Sequence, residues 1–544
     1  MLPKVEVSTK NAFLSGKELI LGLAVGLIWW PIYVILTMLN LTLRFLVQEA
    51  YKYFHEPGKY TICSGADAVF GYRIKGNCNS LILGYQIIKG TPNLSQIRQR
   101  YQNMLQSPET REDFSRLKCI FNDKYGYYCW ERDDHFDIRR HIRVLDNWDV
   151  TKEADEEKLM DLTGDLVRKD MSTDKPQWEI LLIPKYWTGQ ASEKKPHYAL
   201  ITRFNHAYSD AISFFLMVNN FIADSKAEMV MDPTKIPFKI PLWAKIVVNL
   251  KAIIMGPYSF VAIMSAYILD KSVFSVKYYS DTKICGKSPP IAFDTVKDIK
   301  KASGASVTAI LYTAVYSALY KAHRRSHPKV EVPEHLHLGS VMAMFPYWEK
   351  RKLGNQFTLY PYTANLPVKD NCLRERLRIS DEITRKAMGS SGPVFNFELT
   401  RSLGSIPKIF HCCLWQLSGC PVMLSNVPGF STKLKIYGGE MVDGAGFLPL
   451  MSTMGVGLST QTYCGELRFN CIVDPQVFSR RAELQPFLND IIGELEQLGK
   501  IFVPSKSTAP LAESISEESR DILKTDENGN SDNLEIFLQQ AISS

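Results

Sequence analysis

The sequence predicts a mixed α/β protein, with two domains built from layers of helices and strands. The chain has 544 residues, too many for one compact core, so we expect two domains of roughly 150–250 residues each. Short β-like stretches alternate with longer helical ones between residues 60 and 236, as in NSLILGYQII followed by NLSQIRQRYQNML. Hydrophobic residues make up 45% and charged residues 22% of the chain, which is typical of a folded globular protein.

A second mixed stretch spans residues 291–502 and contains the clearest helix of the chain, ASVTAILYTAVYSALYKAH. Its apolar residues recur at helical spacing and form one face: Val307, Ile310, Leu311, Ala314, Val315, Ala318 and Leu319. Two mixed halves joined by a connector favour a cleft between them.

Residues 19–43, LILGLAVGLIWWPIYVILTMLNLTL, carry no charge and are flanked by Glu18 and Arg44. A helix of this length spans the ~30 Å hydrocarbon core of a bilayer, so we predict a membrane segment; a buried soluble helix is the alternative. Pro31 predicts either a kink or a segment that dips into the membrane and returns. Basic residues lie on both sides, so the positive-inside rule gives no orientation.

A second apolar stretch, AIIMGPYSFVAIMSAYIL at residues 252–269, is borderline in length for crossing a bilayer, and its Gly-Pro pair predicts a bend. It belongs to a connector that either rests on the membrane through nearby lysines or packs between the domains. The predicted organisation is an N-terminal membrane anchor (1–56), an N-terminal mixed domain (57–236), the connector (237–290), a C-terminal mixed domain (291–502) and a polar tail (503–544) that is disordered apart from a short NLEIFLQQAI helix.

Charge and cysteine content exclude several classes of function. The net charge of +7 comes without any long Lys/Arg block, so we expect no nucleic-acid partner, whereas a mildly basic surface suits anionic lipid. Eleven cysteines without a C-x-x-C pair or a His/Cys ligand ladder predict mostly free thiols, a reducing compartment and no metal site. The sequence contains no G-x-S-x-G elbow, which disfavours a nucleophilic serine.

The stretch RFNHAYSDAISFF places His206 four residues before Asp210. HYALITRFN before it predicts a half-buried strand with Tyr198, Leu200 and Phe204 on one face, and ISFFLMVNNFI after it predicts a helix. Asp210 therefore falls near the first helical turn, where a carboxylate accepts from free backbone N–H groups.

His206 needs a different explanation, because ending a strand does not require a base that titrates near neutral pH. At a strand end that faces a cleft, an imidazole can take a proton from an alcohol, which is general-base catalysis of acyl transfer. The HxxxD spacing alone is a weak indication of this chemistry.

Six further stretches follow the order and spacing of a known family: SGADAVFG (64–71), HFDIRRHI (135–142), DKPQWEILLI (174–183), LGNQF (353–357), SNVPGF (425–430) and TYCGELRFNCIVD (462–474). Together with the HxxxD pair they resemble the wax ester synthase/diacylglycerol acyltransferase family of O-acyltransferases, whose signature is HHxxxDG. They also resemble the wider superfamily with the chloramphenicol acetyltransferase fold, whose signature is HxxxD. The resemblance covers residues 64–474, and HxxxD combined with the Ser-Asn-Val-Pro-Gly turn is its most specific part.

The sequence departs from the family pattern at four places. Asn205 replaces the first histidine, Ala211 replaces the glycine, Phe430 stands where proline is common, and Thr308-Ala309 replaces an Asn-Asp pair. An asparagine amide can hydrogen-bond locally but cannot act as a base. These departures leave room for a degenerate or specialised member.

The resemblance implies two chloramphenicol acetyltransferase-like domains around a central tunnel, in which acyl-CoA, as co-substrate, meets a lipid alcohol. His206 would be the general base, while Asp210 and Asn205 would support the motif structurally. No other cofactor is implied.

Three more residues are candidates for lining the site. Asn426, next to Ser425 in the Ser-Asn-Val-Pro-Gly turn, is expected near the developing negative charge, with a purely structural turn as the alternative. Trp178 is expected to shape the acyl pocket by packing.

The expected function is a membrane-bound, acyl-CoA-dependent O-acyltransferase that makes wax esters, triacylglycerols or both. Two alternatives remain open: a non-catalytic lipid-binding or lipid-transfer protein on the same fold, and an acyltransferase acting on amines or carrier-bound substrates. The expected location is the endoplasmic reticulum membrane or the lipid droplet, with the catalytic domains in the cytosol. Whether the acceptor is a fatty alcohol, a diacylglycerol or a sterol stays open, as does the oligomeric state.

Overall fold

The computed structural model describes residues 16–71, 80–189, 196–231, 242–268, 272–333, 335–344, 352–365, 372–411 and 420–503. The predicted tail helix NLEIFLQQAI and residues 504–544 of the predicted tail lie outside these ranges. Within them the chain forms two large β-sheets and one small one, with helices packed around them. The mixed α/β class predicted from the sequence is confirmed.

The strands are β1 (Tyr60–Ile62), β2 (Leu81–Lys89), β3 (Cys119–Lys124), β4 (Tyr127–Arg132), β5 (Ile142–Val144), β6 (Trp178–Tyr186), β7 (His197–Asn205), β8 (Ile284–Lys287), β9 (Ile291–Ala292), β10 (His335–Ala343), β11 (Phe357–Asn365), β12 (Val422–Phe430), β13 (Lys435–Ile436), β14 (Gly439–Phe447), β15 (Val456–Tyr463) and β16 (Glu466–Val473).

The helices are α1 (Gly16–Phe54), α2 (Gly65–Ala68), α3 (Leu94–Gln106), α4 (Glu156–Arg168), α5 (Ala211–Met217), α6 (Leu242–Ile268), α7 (Phe293–Ser303), α8 (Val307–Ser326), α9 (Leu373–Met388), α10 (Gly392–Gly404) and α11 (Arg481–Phe502). A π-helical turn, Val218–Ile222, extends α5.

The N-terminal sheet has the strand order β13-β14-β2-β7-β6-β5, and only β5 and β6 are parallel neighbours. Strand β7 forms as predicted, but the expectation that it is half-buried is wrong, since eight of its nine residues are buried. The reason is that both faces are covered. Tyr198 and Leu200 pack into the core of the N-terminal half, whereas Ala199 and Ile201 pack into a core shared with the other half.

The C-terminal sheet has the order β11-β10-β12-β15-β16-β8, with β9 beside β16. β12 is parallel to both of its neighbours, and the remaining pairs are antiparallel. The predicted helix of the C-terminal half is α8, which lies against α7, α9 and α11 over this sheet. It is buried nearly all round, not only on the predicted face, because these three helices surround it.

Two segments lie outside the halves to which the sequence assigns them. Strands β13 and β14, from the predicted C-terminal domain, complete the N-terminal sheet, and seven residue pairs join β14 to β2. Strand β8, from the predicted connector, is an edge of the C-terminal sheet. The halves also share a hydrophobic core that includes Leu83 from β2 and Ile472 from β16.

Helix α1 is continuous through Pro31, so the predicted alternative of a segment that dips and returns is not observed. It packs against α6 and α10, where Trp29 and Trp30 meet Phe395, and its Asn40 hydrogen-bonds Ser405. Within the described residues, Leu19–Phe54 is the one single helix that is long and apolar enough to cross a membrane. The bent pair α7–α8 is also long and apolar, but α8 is buried in the core of the C-terminal half.

Candidate active site

The predicted base, His206, begins the turn that leaves β7. Its backbone N–H donates to the Ser80 carbonyl at 2.8 Å, which fixes the turn against the start of β2. The side chain of Asn205 accepts from the Ala207 N–H at 2.9 Å and donates to Gln177 Oε1 at 3.0 Å. This asparagine, at the position of the first histidine in the HHxxxDG signature, therefore braces the turn through its amide.

Asp210 is the N-cap of α5, where the sequence places a helix start. One carboxylate oxygen accepts from Ser213 N–H at 2.8 Å, and the other accepts from Gln356 N–H at 2.9 Å. The second bond ties the motif turn to the segment before β11, so this carboxylate links the two halves of the chain.

The His206 ring is held by a residue that the sequence did not single out, Asn355. His206 Nδ1 lies 2.8 Å from Asn355 Oδ1, while Asn355 Nδ2 donates to the His206 carbonyl at 2.8 Å and to Asp67 Oδ1 at 3.0 Å. These donor bonds orient the amide, so its oxygen faces Nδ1 and Nδ1 must carry the ring proton. The other ring nitrogen, Nε2, is then the unprotonated one, as a general base requires.

A further ion pair supports this arrangement. Asp67 is buried and its Oδ2 lies 2.9 Å from Arg116 Nη2, whose guanidinium covers the Trp130 ring at 4.8 Å. Arg116 also donates to the Tyr208 carbonyl at 3.2 Å. The chain of contacts thus runs from His206 through Asn355 and Asp67 to an arginine that holds the same turn.

The aromatic rings around His206 explain its electrostatics. Phe70 stacks on the imidazole at 4.1 Å, and the Phe357 ring lies 5.2 Å away. Burial lowers the pKa of His206 to about 4, while its hydrogen bonds to its own backbone and to Asn355, and the charge of Asp67, act in the opposite direction. The imidazole is therefore neutral, and able to accept a proton, at physiological pH.

His206 lies in the wall of a cavity of about 190 Å³ between the two large sheets. Strands β2, β7 and β14 line it from one side and β10, β11, β12, β15 and β16 from the other. Most of the lining is apolar, and the predicted residues Ser425 and Asn426 belong to it. The structure therefore brings the histidine and these two residues to one cavity, of a character that suits lipid chains.

The expected turn at Ser-Asn-Val-Pro-Gly is wrong, because this stretch is part of strand β12. The strand accommodates its proline at a bulge between Val427 and Phe430. Gly429 is required there, since a Cβ atom would lie 1.8 Å from the Thr462 carbonyl oxygen. Asn426 Oδ1 accepts from Thr460 Oγ1 at 2.6 Å, which orients the amide at the cavity wall.

Trp178 packs as expected but does not line the cavity that holds His206. It begins β6, donates from Nε1 to the Leu117 carbonyl at 2.8 Å and stacks on His141 at 4.5 Å. The pleat of β6 directs Trp178 into the N-terminal core. It borders a smaller cavity of about 20 Å³ in the N-terminal core, which shares Thr202, Phe204 and Phe214 with the cavity that holds His206. Its expected role in shaping the acyl pocket stays a prediction.

The state of the cysteines was also predicted from the sequence. All eight cysteines in the described ranges are free thiols, as the sequence predicts. No group of three or more His, Cys, Asp or Glu side chains in those ranges is close enough to hold a metal ion.

The two sheets and the apolar cavity between them match the two-domain fold of the chloramphenicol acetyltransferase-like acyltransferases. The sequence model of the wax ester synthase/diacylglycerol acyltransferase catalytic domain matches residues 67–273, and that of the WS/DGAT C-terminal domain matches residues 353–498. The chain therefore belongs to the wax ester synthase/diacylglycerol acyltransferase family, an assignment that confirms the resemblance and makes it an acyltransferase of lipid metabolism.

The following relatives are distant in sequence. A probable diacylglycerol O-acyltransferase of Mycobacterium tuberculosis is 20% identical over 416 residues, which cover 68% of this chain and 82% of the relative. The wax ester synthase/diacylglycerol acyltransferase from Marinobacter aquaeolei VT8 superposes with a TM-score of 0.53 at 16% identity, over 81% of this chain and 99% of that one. Trichothecene 15-O-acetyltransferase TRI3 from Fusarium sporotrichioides superposes with a TM-score of 0.56 at 13% sequence identity, over 81% of this chain and 94% of that one. These likenesses confirm the two-domain fold.

Proposed function

We propose that this protein is a membrane-bound, acyl-CoA-dependent O-acyltransferase that esterifies a long-chain alcohol or a diacylglycerol. The observation that carries the proposal is the neutral His206, protonated on Nδ1 by its bond to Asn355, in the wall of an apolar cavity between the two halves. The name of the Marinobacter protein supports this substrate class. The apolar lining favours lipid chains over the amines that related folds use.

In the proposed reaction, His206 Nε2 takes the proton of the acceptor hydroxyl while the oxygen attacks the thioester carbonyl carbon. The tetrahedral intermediate collapses by cleavage of the carbon–sulfur bond, and the imidazolium returns its proton to the CoA thiolate. The products are the ester and free CoA. General-base catalysis contributes on the order of 10²–10⁴ in rate, so positioning and charge stabilisation must supply the rest.

Asn426 is the proposed donor to the developing oxyanion. Its Oδ1 is bonded to Thr460, which turns the amide N–H groups away from that hydroxyl, and both side chains line the cavity. Asp210 and Asn205 act on the reaction through the turn that they brace.

Membrane attachment is proposed from the exposed sides of α1 and α6. Leu27, Ile28 and Ile35 on α1 are 76%, 71% and 60% exposed, and α6 adds Leu242 and Trp243. In soluble proteins, a contiguous exposed apolar surface marks a site of contact with a membrane or a partner. We propose the endoplasmic reticulum membrane or the lipid droplet as the location, with the catalytic halves in the cytosol; protease accessibility of those halves in sealed microsomes tests the orientation.

The experiment that tests the catalytic proposal measures ester formation from labelled acyl-CoA with fatty alcohol, diacylglycerol and sterol, using purified membranes. We expect His206→Ala to lose at least about 10²-fold in kcat, since the base is removed. His135→Ala is the matched control, because His135 is exposed and does not line the cavity. Equal activity of wild type and His206→Ala would rule out the mechanism. Lipid binding and a cellular phenotype that both survive His206→Ala unchanged would instead favour a non-catalytic lipid-binding protein.

A further inference from the structure

The wall of the cavity contains an asparagine that the proposed reaction does not use. Along β16, Leu467, Phe469 and Cys471 face the core under α8, whereas Asn470 and Ile472 face the N-terminal half. Asn470 is 1% exposed and lines the cavity. Neither its amide oxygen nor its amide nitrogen has a hydrogen-bond partner among the described residues.

Tyr85 on β2 lines the same cavity and carries a second polar group. It is 2% exposed, and its hydroxyl also has no partner within the described ranges. Lys287, directly opposite Asn470 on β8, places its Nζ 6.0 Å from the Tyr85 ring centroid and pairs with Glu156 at 3.2 Å. The lysine and the strand register therefore bring Tyr85 and Asn470 to the same end of the cavity.

Ser459 shows that the face of the C-terminal sheet that carries Asn470 points toward the N-terminal sheet. It lies opposite Asn470 on β15, and its hydroxyl donates to the Gly446 carbonyl on β14. The Ser459 hydroxyl is thus already bonded, and the Asn470 amide and the Tyr85 hydroxyl remain available. Buried polar groups are nearly always hydrogen-bonded in native proteins, so this pair points to a ligand that bears a polar group.

We infer that this end of the cavity is a subsite for a hydroxyl group on the substrate chain, remote from the carbon that reacts. An asparagine amide offers two donors and one acceptor, and a hydroxyl offers one donor and two lone pairs, so each satisfies the other. The Tyr85 hydroxyl completes the site as either donor or acceptor.

The strand geometry sets the distance of this subsite from the base. His206 N–H bonds Ser80 at the start of β2, and Tyr85 lies five residues further along. At the rise of a β-strand this places the backbone of Tyr85 roughly 16 Å along β2 from the turn that carries His206. Given carbon–carbon bonds of about 1.5 Å and near-tetrahedral angles, that distance corresponds to an extended chain of roughly 12 carbons.

The substrate class that follows is a long aliphatic chain with a second hydroxyl near its twelfth carbon. The inference rests on the proposed function, since the chain must reach the cavity as a substrate. Either the acyl group or the acceptor alcohol can supply such a chain.

The experiment compares matched pairs of substrates in both arms. The acceptor arm uses an α,ω-diol of about 12 carbons against the primary alcohol of equal length. The acyl arm uses octadecanoyl-CoA with and without a hydroxyl near the same carbon. Each arm measures kcat/KM, and each chain is also tested for thermal stabilisation of the purified protein, which does not depend on turnover. We expect the hydroxylated chain to be preferred by about tenfold in one arm, which identifies the source.

Two variants test the residues. Asn470→Leu keeps the size of the side chain and removes its polarity, and Tyr85→Phe removes only a hydroxyl, so one variant serves if the other fails to fold. Both should bring the preference for the hydroxylated chain close to one. Asn489→Leu is the control, because Asn489 is exposed on α11, and it should keep the wild-type preference.

The outcomes separate this inference from the proposed function. Turnover of both chains with equal kcat/KM and equal thermal stabilisation would overturn the subsite and leave the function in place. No turnover, together with greater stabilisation by the hydroxylated chain that Asn470→Leu abolishes, would support the subsite and contradict the function. A preference that survives in both variants would assign hydroxyl recognition elsewhere and overturn the subsite.

Discussion

The hydrogen-bond partner of the proposed base is an amide and not a carboxylate. A carboxylate would fix the proton on the ring and also place a negative charge beside it. Asn355 fixes the proton on His206 Nδ1 but brings no negative charge into contact with the ring. The charge lies one residue further away, on Asp67, which is itself paired with Arg116. The imidazole is thus kept neutral and correctly oriented, while its basicity stays low.

The low pKa of His206 predicts the pH dependence of the reaction. Because burial lowers this pKa to about 4, the base is unprotonated at every pH above about 5. We expect kcat/KM to be level from about pH 5 to 8 and to fall only below that range. Initial rates in mixed buffers of constant ionic strength measure this profile, and an acid limb centred near the ordinary histidine value of ~6.5 would contradict it.

Removal of the Asn355 amide should slow the reaction, because this amide orients His206. For Asn355→Ala we expect kcat to fall at least about tenfold with little change in KM for acyl-CoA, because the wrong ring nitrogen can then carry the proton. The acid limb should also move to lower pH, since the Asn355 hydrogen bond raises the pKa of His206.

The control for this variant is Asn219→Ala. Asn219 is buried and makes two backbone hydrogen bonds to Ala227, but it does not line the cavity. This variant should lower stability and leave the pH profile unchanged. An identical pH profile in both variants would show that Asn355 is only structural.

Sequence reasoning reached some of these residues and missed others for a physical reason. His206 and Asp210 lie four residues apart at a strand–helix junction, a local pattern that predicts a base and a helix cap. Asn355 and Asp67 lie in stretches that resemble the family, yet 149 residues separate His206 from Asn355. A contact between residues so distant in sequence leaves no periodicity, and only the folded chain shows it.

At the scale of elements, hydrophobic periodicity predicted β2, α3, β7 and α8 correctly, because each carries a regular apolar pattern. It failed for β12, where Pro428-Gly429 indicated a turn. The strand tolerates this pair because its bulge frees the backbone of the regular ladder at that point. The burial of β7 on both faces was missed because a second core covers its outer side.

The exposed face of α1 carries a prediction about attachment. Ile28 and Ile35 lie seven residues apart and so face the same side, away from α6 and α10. Wild type should stay with the membranes during alkaline carbonate extraction. The double variant Ile28→Glu, Ile35→Glu should be released, since a charge in the bilayer costs about 2.5–3.5 kcal/mol per residue on insertion scales.

Two other exposed positions provide the control for the charged variant. Val150→Glu combined with Tyr278→Glu adds the same charge away from α1, and this variant should stay in the pellet. Release of wild type without detergent would show that the protein is not anchored in the membrane.

At the scale of the whole molecule, length and composition predicted two mixed halves but not the way they interlock. Strands β13 and β14 join the N-terminal sheet, which pairs residues about 350 positions apart, and nothing local in the sequence encodes such pairing. Strand β14 also covers the free edge of β2, which would otherwise present unpaired backbone groups.

This interlocking predicts that the halves unfold together. The shared core and the seven residue pairs between β14 and β2 should make unfolding one cooperative transition. Calorimetry of the full chain in detergent, comparing calorimetric and van't Hoff enthalpies, measures this. Two resolved transitions would mean that the N-terminal sheet is stable without β13 and β14.

The position of α6 in the chain also sets an order of events during synthesis. Helix α1 leaves the ribosome first, but α6, against which it packs, follows roughly 190 residues later. At ~5–20 residues per second this delay is roughly 10–40 s. For that time α1 lacks the helix that later accepts the Trp30 hydrogen bond. The proposed entry of α1 into the bilayer would therefore come before the catalytic body exists, and the body would be assembled at the membrane surface.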